Sequence, residues 1–154
     1  MTWPTVELDP ITRLRAIAAA FPNAGVGEVV LDVPYDRAWA WLMDFERTTS
    51  RFDTMVTNVR VRQRTDTTAK LVVRQRGNPF PMPFDVSIEP GFCMMRASGR
   101  LFLVLMAAVP EGDDRTRYAH AEAIPLPGLG RTRARVQRMV DADLRRLRRN
   151  IGTY

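Results

Sequence analysis

Three polar residues recur at every second position late in the chain: Tyr118, His120 and Glu122. On a β-strand that spacing sends all three side chains to one face of a sheet. The alternating positions Ala119, Ala121 and Ala123 are small and apolar. A phenol, an imidazole and a carboxylate side by side suit two kinds of chemistry. They hydrogen-bond a ligand, or they move a proton, because a carboxylate beside His120 fixes its tautomer and raises its basicity. Asp143 falls at the edge of a helical apolar stripe and adds a second carboxylate. The candidate catalytic residues are therefore His120, Tyr118, Glu122 and Asp143. The same residues also fit a satisfied internal network, or strand positions that face water.

His120 is the one histidine and Cys93 the one cysteine. Together they do not make a zinc site of the usual Cys/His kind. No metal motif and no glycine-rich phosphate loop is present, so neither a metal nor a cofactor is expected. Cys93 reads as a buried, inert thiol, and one cysteine rules out an internal disulfide.

The elements that position the polar row follow from periodicity. Asp9-Pro10 starts a helix, since Asp caps free amides and Pro fits the first helical position. Ile11, Leu14, Ile17, Ala18 and Phe21 form its stripe, and Pro22 ends it. A strand over 28–33 and a helix over 35–45 follow, with Trp39 expected in the core and Trp41 partly exposed. A helical turn is expected over 48–52. From Met55 the period becomes two, and turn signals at 65–68, 77–83, 90–91, 99–100 and 112–113 divide six further strands into sequential antiparallel hairpins. A break over 125–130 precedes one long helix over 131–151.

Register fixes which residues share the inner face. A tight loop at Pro90-Gly91 sets Ile88 opposite Cys93, Val86 opposite Met95 and Phe84 opposite Ala97. It also sets Asp85 opposite Arg96 on the other face. Continuing through the next two turns places Phe102, Val104 and Met106 inward, followed by Tyr118, His120 and Glu122. Leu101, Leu103 and Leu105 then point outward. An apolar outer face needs a cover, and the N-terminal helix or a second copy of the chain would supply one. On the last helix, Val136, Met139, Val140, Leu144, Leu147 and Ile151 form one stripe. Asp141 and Asp143 are spaced to pair with Arg145 and Arg146.

This order of elements resembles the helix-grip fold of the START and Bet v 1-like superfamily (SRPBCC), including its polyketide cyclase/dehydrase-like bacterial branch. The matching residues are Val29-Leu31-Val33-Pro34-Tyr35-Asp36-Arg37-Ala38-Trp39, Ile88-Glu89-Pro90-Gly91, and Thr116 to Ile124 followed by Pro127-Gly128. The resemblance implies an α+β domain over 25–154, a curved antiparallel seven-stranded sheet around a long C-terminal helix. The N-terminal helical extension, 1–24, departs from the family pattern. The resemblance also implies a cavity between sheet and helix for a lipid, polyketide or isoprenoid-like molecule. The expected ligand-binding residues are Phe84, Val86, Ile88, Met95, Phe102, Val104, Met106, Tyr118, His120, Met139, Val140 and Leu144. The loop Pro79-Phe80-Pro81-Met82-Pro83 is a candidate lid. Some members of the superfamily are enzymes, so an aromatase/cyclase-like activity is the alternative to a binding module. A membrane- or partner-associated accessory protein is the third reading.

Composition limits the rest. A chain of 154 residues, 45% hydrophobic and 26% charged, suits one packed core. No apolar run reaches the ~18 residues of a membrane span, and no signal-peptide pattern opens the chain, so a cytoplasmic location is expected. The net charge is +6 and 22 of the 23 basic residues are arginine. The arginines of the last helix lie opposite its apolar stripe, without interleaved aromatics for base stacking. A solvated face is therefore expected, not nucleic-acid binding. Membrane contact through that basic face is the weaker alternative.

Overall fold

A computed structural model describes residues 1–100, 102–124 and 132–153. The break expected over 125–130, the outward position expected of Leu101, and Arg131 lie outside the described residues. The elements run α1 (Pro10–Ala18), β1 (Gly25–Leu31), α2 (Tyr35–Leu42), α3 (Phe45–Phe52), β2 (Val56–Arg64), β3 (Thr68–Gln75), β4 (Met82–Glu89), β5 (Phe92–Ala97), β6 (Leu103–Glu111), β7 (Arg115–Ala123) and α4 (Arg133–Asn150). The strands make one seven-stranded antiparallel sheet in the order β1-β7-β6-β5-β4-β3-β2. The helices α2 and α3 and the long α4 pack on its inner side, giving an α+β helix grip.

The register follows the sequence reading. Ile88 faces Cys93, Val86 faces Met95, Phe84 faces Ala97, and Asp85 faces Arg96. Met95 faces Val104, and Val104, Met106 and Ala108 face Glu122, His120 and Tyr118. Gly91 closes the β4–β5 turn at φ 70°, where a Cβ would stand 2.6 Å from the Ala108 carbonyl oxygen. That turn therefore needs glycine.

Two apolar clusters sandwich the sheet. The inner one joins Val140, Leu144 and Leu147 of α4 to Phe84, Val86, Met95 and Met106. The outer one joins Ile11, Leu14 and Ala18 of α1 to Leu103, Leu105, Ala107, Ala119 and Ala121. The N-terminal helix is thus what covers Leu103 and Leu105. Asp9 caps it, accepting at 3.1 Å from the N–H groups of Ile11 and Thr12. Arg13 pairs with Glu89 at the end of β4 and Arg15 with Glu28 on the edge strand β1, tying α1 to the sheet at two points.

Several expectations are corrected. The helix expected over 35–45 is two helices with a break at 43–44, and the second runs a full two turns from Phe45. The tryptophans exchange roles: Trp41 is buried and its Nε1–H donates to the Thr153 carbonyl at 2.8 Å, while Trp39 is half-buried. Met82 and Pro83 belong to β4, where they pair with Val73 and Val72. Asp143 does not pair with Arg146. It accepts from the Thr54 N–H at 2.8 Å, and Arg146 donates to the Ser50 and Asp53 carbonyls. Asp141 accepts from the Gln137 amide at 2.9 Å, not from Arg145.

Candidate functional site

β7 carries its polar row inward because its alanines fit the crowded outer face under α1. Tyr118, His120 and Glu122 are 0%, 1% and 2% exposed. The Tyr118 hydroxyl lies 3.0 Å from His120 Nδ1, and His120 Nε2 lies 3.2 Å from Glu122 Oε1. With the proton on Nε2, His120 donates to Glu122 and accepts from Tyr118, so the imidazole is held at both nitrogens. Phe52 of α3 meets the imidazole edge-on, with ring centroids 6.2 Å apart.

Two aspartates close the site from the helix side. Asp143 projects from α4 and is buried, although a carboxylate interrupts an otherwise apolar stripe there. Asp53 follows α3, and its Oδ1 accepts from the Met55 and Val56 N–H groups at 2.8 and 3.1 Å. That double acceptance turns the chain from α3 into β2.

Burial governs the protonation of the group. It pushes the Asp143 carboxyl up to about 7, helped by the charges of Asp53 and Glu122 and opposed by His120 and the Thr54 hydrogen bond. It pushes Asp53 up to about 6, with Glu122 adding to the rise. It lowers His120 below the ordinary histidine value, against the pull of Asp143 and Asp53, and holds the Tyr118 phenol well above its own. Burial thus favours the neutral forms of Asp143, Asp53, His120 and Tyr118.

The group opens on a cavity of about 30 Å³. Phe84, Met95, Phe102, Val104, Met106, His120, Glu122 and Met139 line it, from the sheet and from α4. Val86, Ile88, Tyr118, Val140 and Leu144 lie in the surrounding core instead. The wall on the other side is Thr49, Phe52, Asp53, Met55, Val56, Val73 and Gln75, none of which the sequence reading assigned to the cavity. One signal for part of that wall was present. Phe45, Thr48, Thr49 and Phe52 sit at i, i+3, i+4 and i+7, the inward stripe of a helix, and all four are buried. Asp53, Met55 and Gln75 carry no such pattern. Phe80, in the proposed lid, stands 74% exposed and is not among the lining residues.

No family model matches the sequence, and no curated protein sequence is significantly similar to it. Solved structures do match. TTHA0849 from Thermus thermophilus superposes with a TM-score of 0.65 at 14% identity, over 83% of this chain and 96% of that one. A START superfamily protein from Mycobacterium smegmatis gives 0.60 at 14% identity, over 83% and 96%. The ZhuI aromatase/cyclase from Streptomyces sp. R1128 gives 0.55 at 12% identity, over 80% and 84%. At these identities the shared property is the fold, the helix grip. Among the described residues, no helix is long and apolar enough to cross a membrane.

Proposed function

We propose that the chain binds a small hydrophobic molecule carrying at least one polar group, of lipid, polyketide or isoprenoid-like character, between the sheet and α4. One observation carries this reading: a buried, hydrogen-bonded His120–Glu122 pair faces a mostly apolar cavity that four methionines help to line. Few polar groups convergent in an apolar pocket are the usual makeup of a small-molecule site. A cavity of about 30 Å³ holds a water molecule, not an organic ligand. Binding therefore displaces side chains. Met55, Met95, Met106 and Met139 are suited to that, because methionine repacks through three soft torsions. Native mass spectrometry of gently purified protein tests the reading. A small-molecule adduct, released on denaturation, is expected. A bare chain that also ignores a panel of fatty acids, aromatic polyketides and isoprenoids would sink it. His120→Ala is expected to weaken binding with the fold intact, and unchanged affinity removes His120 from the site.

An aromatase/cyclase-like activity is the second reading, favoured by the Tyr118–His120–Glu122 chain that ends in the cavity. With its proton on Nδ1, His120 would take a proton at Nε2 from a carbon flanked by carbonyls; that carbon would attack a second carbonyl of the chain, the alkoxide so formed would take the proton back, and removal of a second proton from the same carbon would expel the new hydroxyl as water. An aromatic product formed from a poly-β-carbonyl chain, and lost in His120→Gln, is the expected result.

A further inference from the structure

We propose that His120, Glu122 and Asp143 form a binding site for one first-row divalent metal ion of the zinc kind. Their donor atoms, one imidazole nitrogen and two carboxylate oxygens, all lie within 4.8 Å of one another. All three residues are at least nine-tenths buried. They come from two elements that the core fixes independently, with His120 and Glu122 two apart on β7 and Asp143 on α4. Donors bonded at ~2.1 Å to one tetrahedral ion stand about 3.4 Å apart. His120 Nε2 and Glu122 Oε1, at 3.2 Å, already have that spacing. Asp143, whose oxygen lies no more than 4.8 Å from either of them, closes the remaining gap by a side-chain rotation.

Three further observations point to an ion. Asp143 Oδ1 is met by the Thr54 N–H, but Oδ2 is shut off from solvent and has no hydrogen-bond partner among the described residues. A buried carboxylate oxygen without a donor is costly, and a metal ion would relieve it. With a metal on Nε2, the His120 proton moves to Nδ1 and is donated to the Tyr118 hydroxyl oxygen at 3.0 Å, the outer contact that aims a ligating histidine at its metal. Finally, two of the three ligands, His120 and Glu122, line the cavity of about 30 Å³, which has room for a water bound to an ion held there. One imidazole with two carboxylates suits Zn²⁺, Co²⁺ or Mn²⁺ better than Mg²⁺ or Ca²⁺, which favour all-oxygen sets. This departs from the sequence expectation of no metal. Ligands drawn from a strand and a distant helix carry no spaced motif to find.

The test uses metal alone, so its outcome does not depend on whether an organic ligand binds. Protein stripped with EDTA and exchanged into chelator-free buffer is titrated with ZnCl₂ by calorimetry, and with CoCl₂ by visible absorption. One equivalent per chain is expected, with cobalt d–d bands of nitrogen and oxygen ligation. Asp143→Asn should weaken binding at least about 100-fold and Tyr118→Phe about tenfold. Asp143→Asn keeps the shape of the side chain and the acceptor for Thr54, so it remains informative if His120→Ala does not fold. Circular dichroism checks each variant. Substoichiometric binding, or binding that the folded variants leave unchanged, overturns the site.

Discussion

The fold tolerates the charge of Asp143 poorly, because α4 buries it beside Asp53 and Glu122. Its carboxyl, raised from 3.8 to about 7, holds a proton in the folded chain that it loses in the unfolded one. The stabilisation is complete below the unfolded value and is lost as pH rises through the folded one. His120 acts in the opposite direction, since its lowered value makes folding cost more as pH falls below the ordinary histidine range. Comparing Asp143→Asn with the parent isolates the aspartate. In chelator, urea unfolding should show the variant gaining about 2–3 kcal/mol relative to the parent between pH 5 and pH 8, at about 1.4 kcal/mol per pKa unit. A pH-independent difference would mean that Asp143 is solvated. Cys93 supplies a simpler check. Burial pushes its thiol up to about 12, so alkylation at pH 8 should require denaturant. At this scale the sequence was legible on β7, where a period of two placed Tyr118, His120 and Glu122 on one face. It was not legible for Asp53, whose place depends on an irregular turn after α3. It misled for Trp39 and Trp41, because the break between α2 and α3 sets which face of α2 meets the core.

At the scale of elements, two packings hold the grip closed. The first is α1 on the outer face. The alternation of Leu101, Leu103 and Leu105 with inward residues was readable before any coordinates, and so was the need for a cover. The choice between α1 and a second chain was not, because both would bury the same leucines. Removing residues 1–20 should therefore expose Leu103, Leu105 and Ala107 and drive self-association, read as a rise in mass by light scattering after size exclusion. A truncated chain that stays monomeric would show that the outer face tolerates water. The second packing is α4 on β1. A Cβ on Gly25 would lie 2.9 Å from backbone atoms of Val136 and Gln137, whereas one on Gly27 would meet the Leu144 side chain at 2.4 Å. A helix backbone cannot step aside alone, but a leucine methyl can rotate. Gly25→Ala should thus cost about 1–3 kcal/mol in denaturant unfolding, and clearly more than Gly27→Ala. The reverse order would mean that α4 shifts on the sheet more easily than Leu144 changes rotamer.

Across the whole molecule, the sheet and α4 enclose a volume that their side chains nearly fill. Topology was readable from the order of elements, but volume was not, since it depends on how methionine rotamers pack. With about 30 Å³ open, the empty state is held by contacts that a ligand must replace, and Met106, on β6 opposite His120 of β7, is one of the side chains that make them. Its thioether fills the space in front of the polar row without a polar partner of its own to lose. Met106→Ala should then do two opposed things. It should destabilise the empty protein by about 2–5 kcal/mol, the usual cost of a buried large-to-small change. It should also raise affinity for a small arene such as toluene, followed by NMR shifts of residues that line the cavity, because the space the parent must clear is already open. A variant that loses stability and gains no affinity would mean that the walls collapse into the gap. The site would then be a packed core, and the metal ion, which needs no such space, would be the one guest the grip still admits.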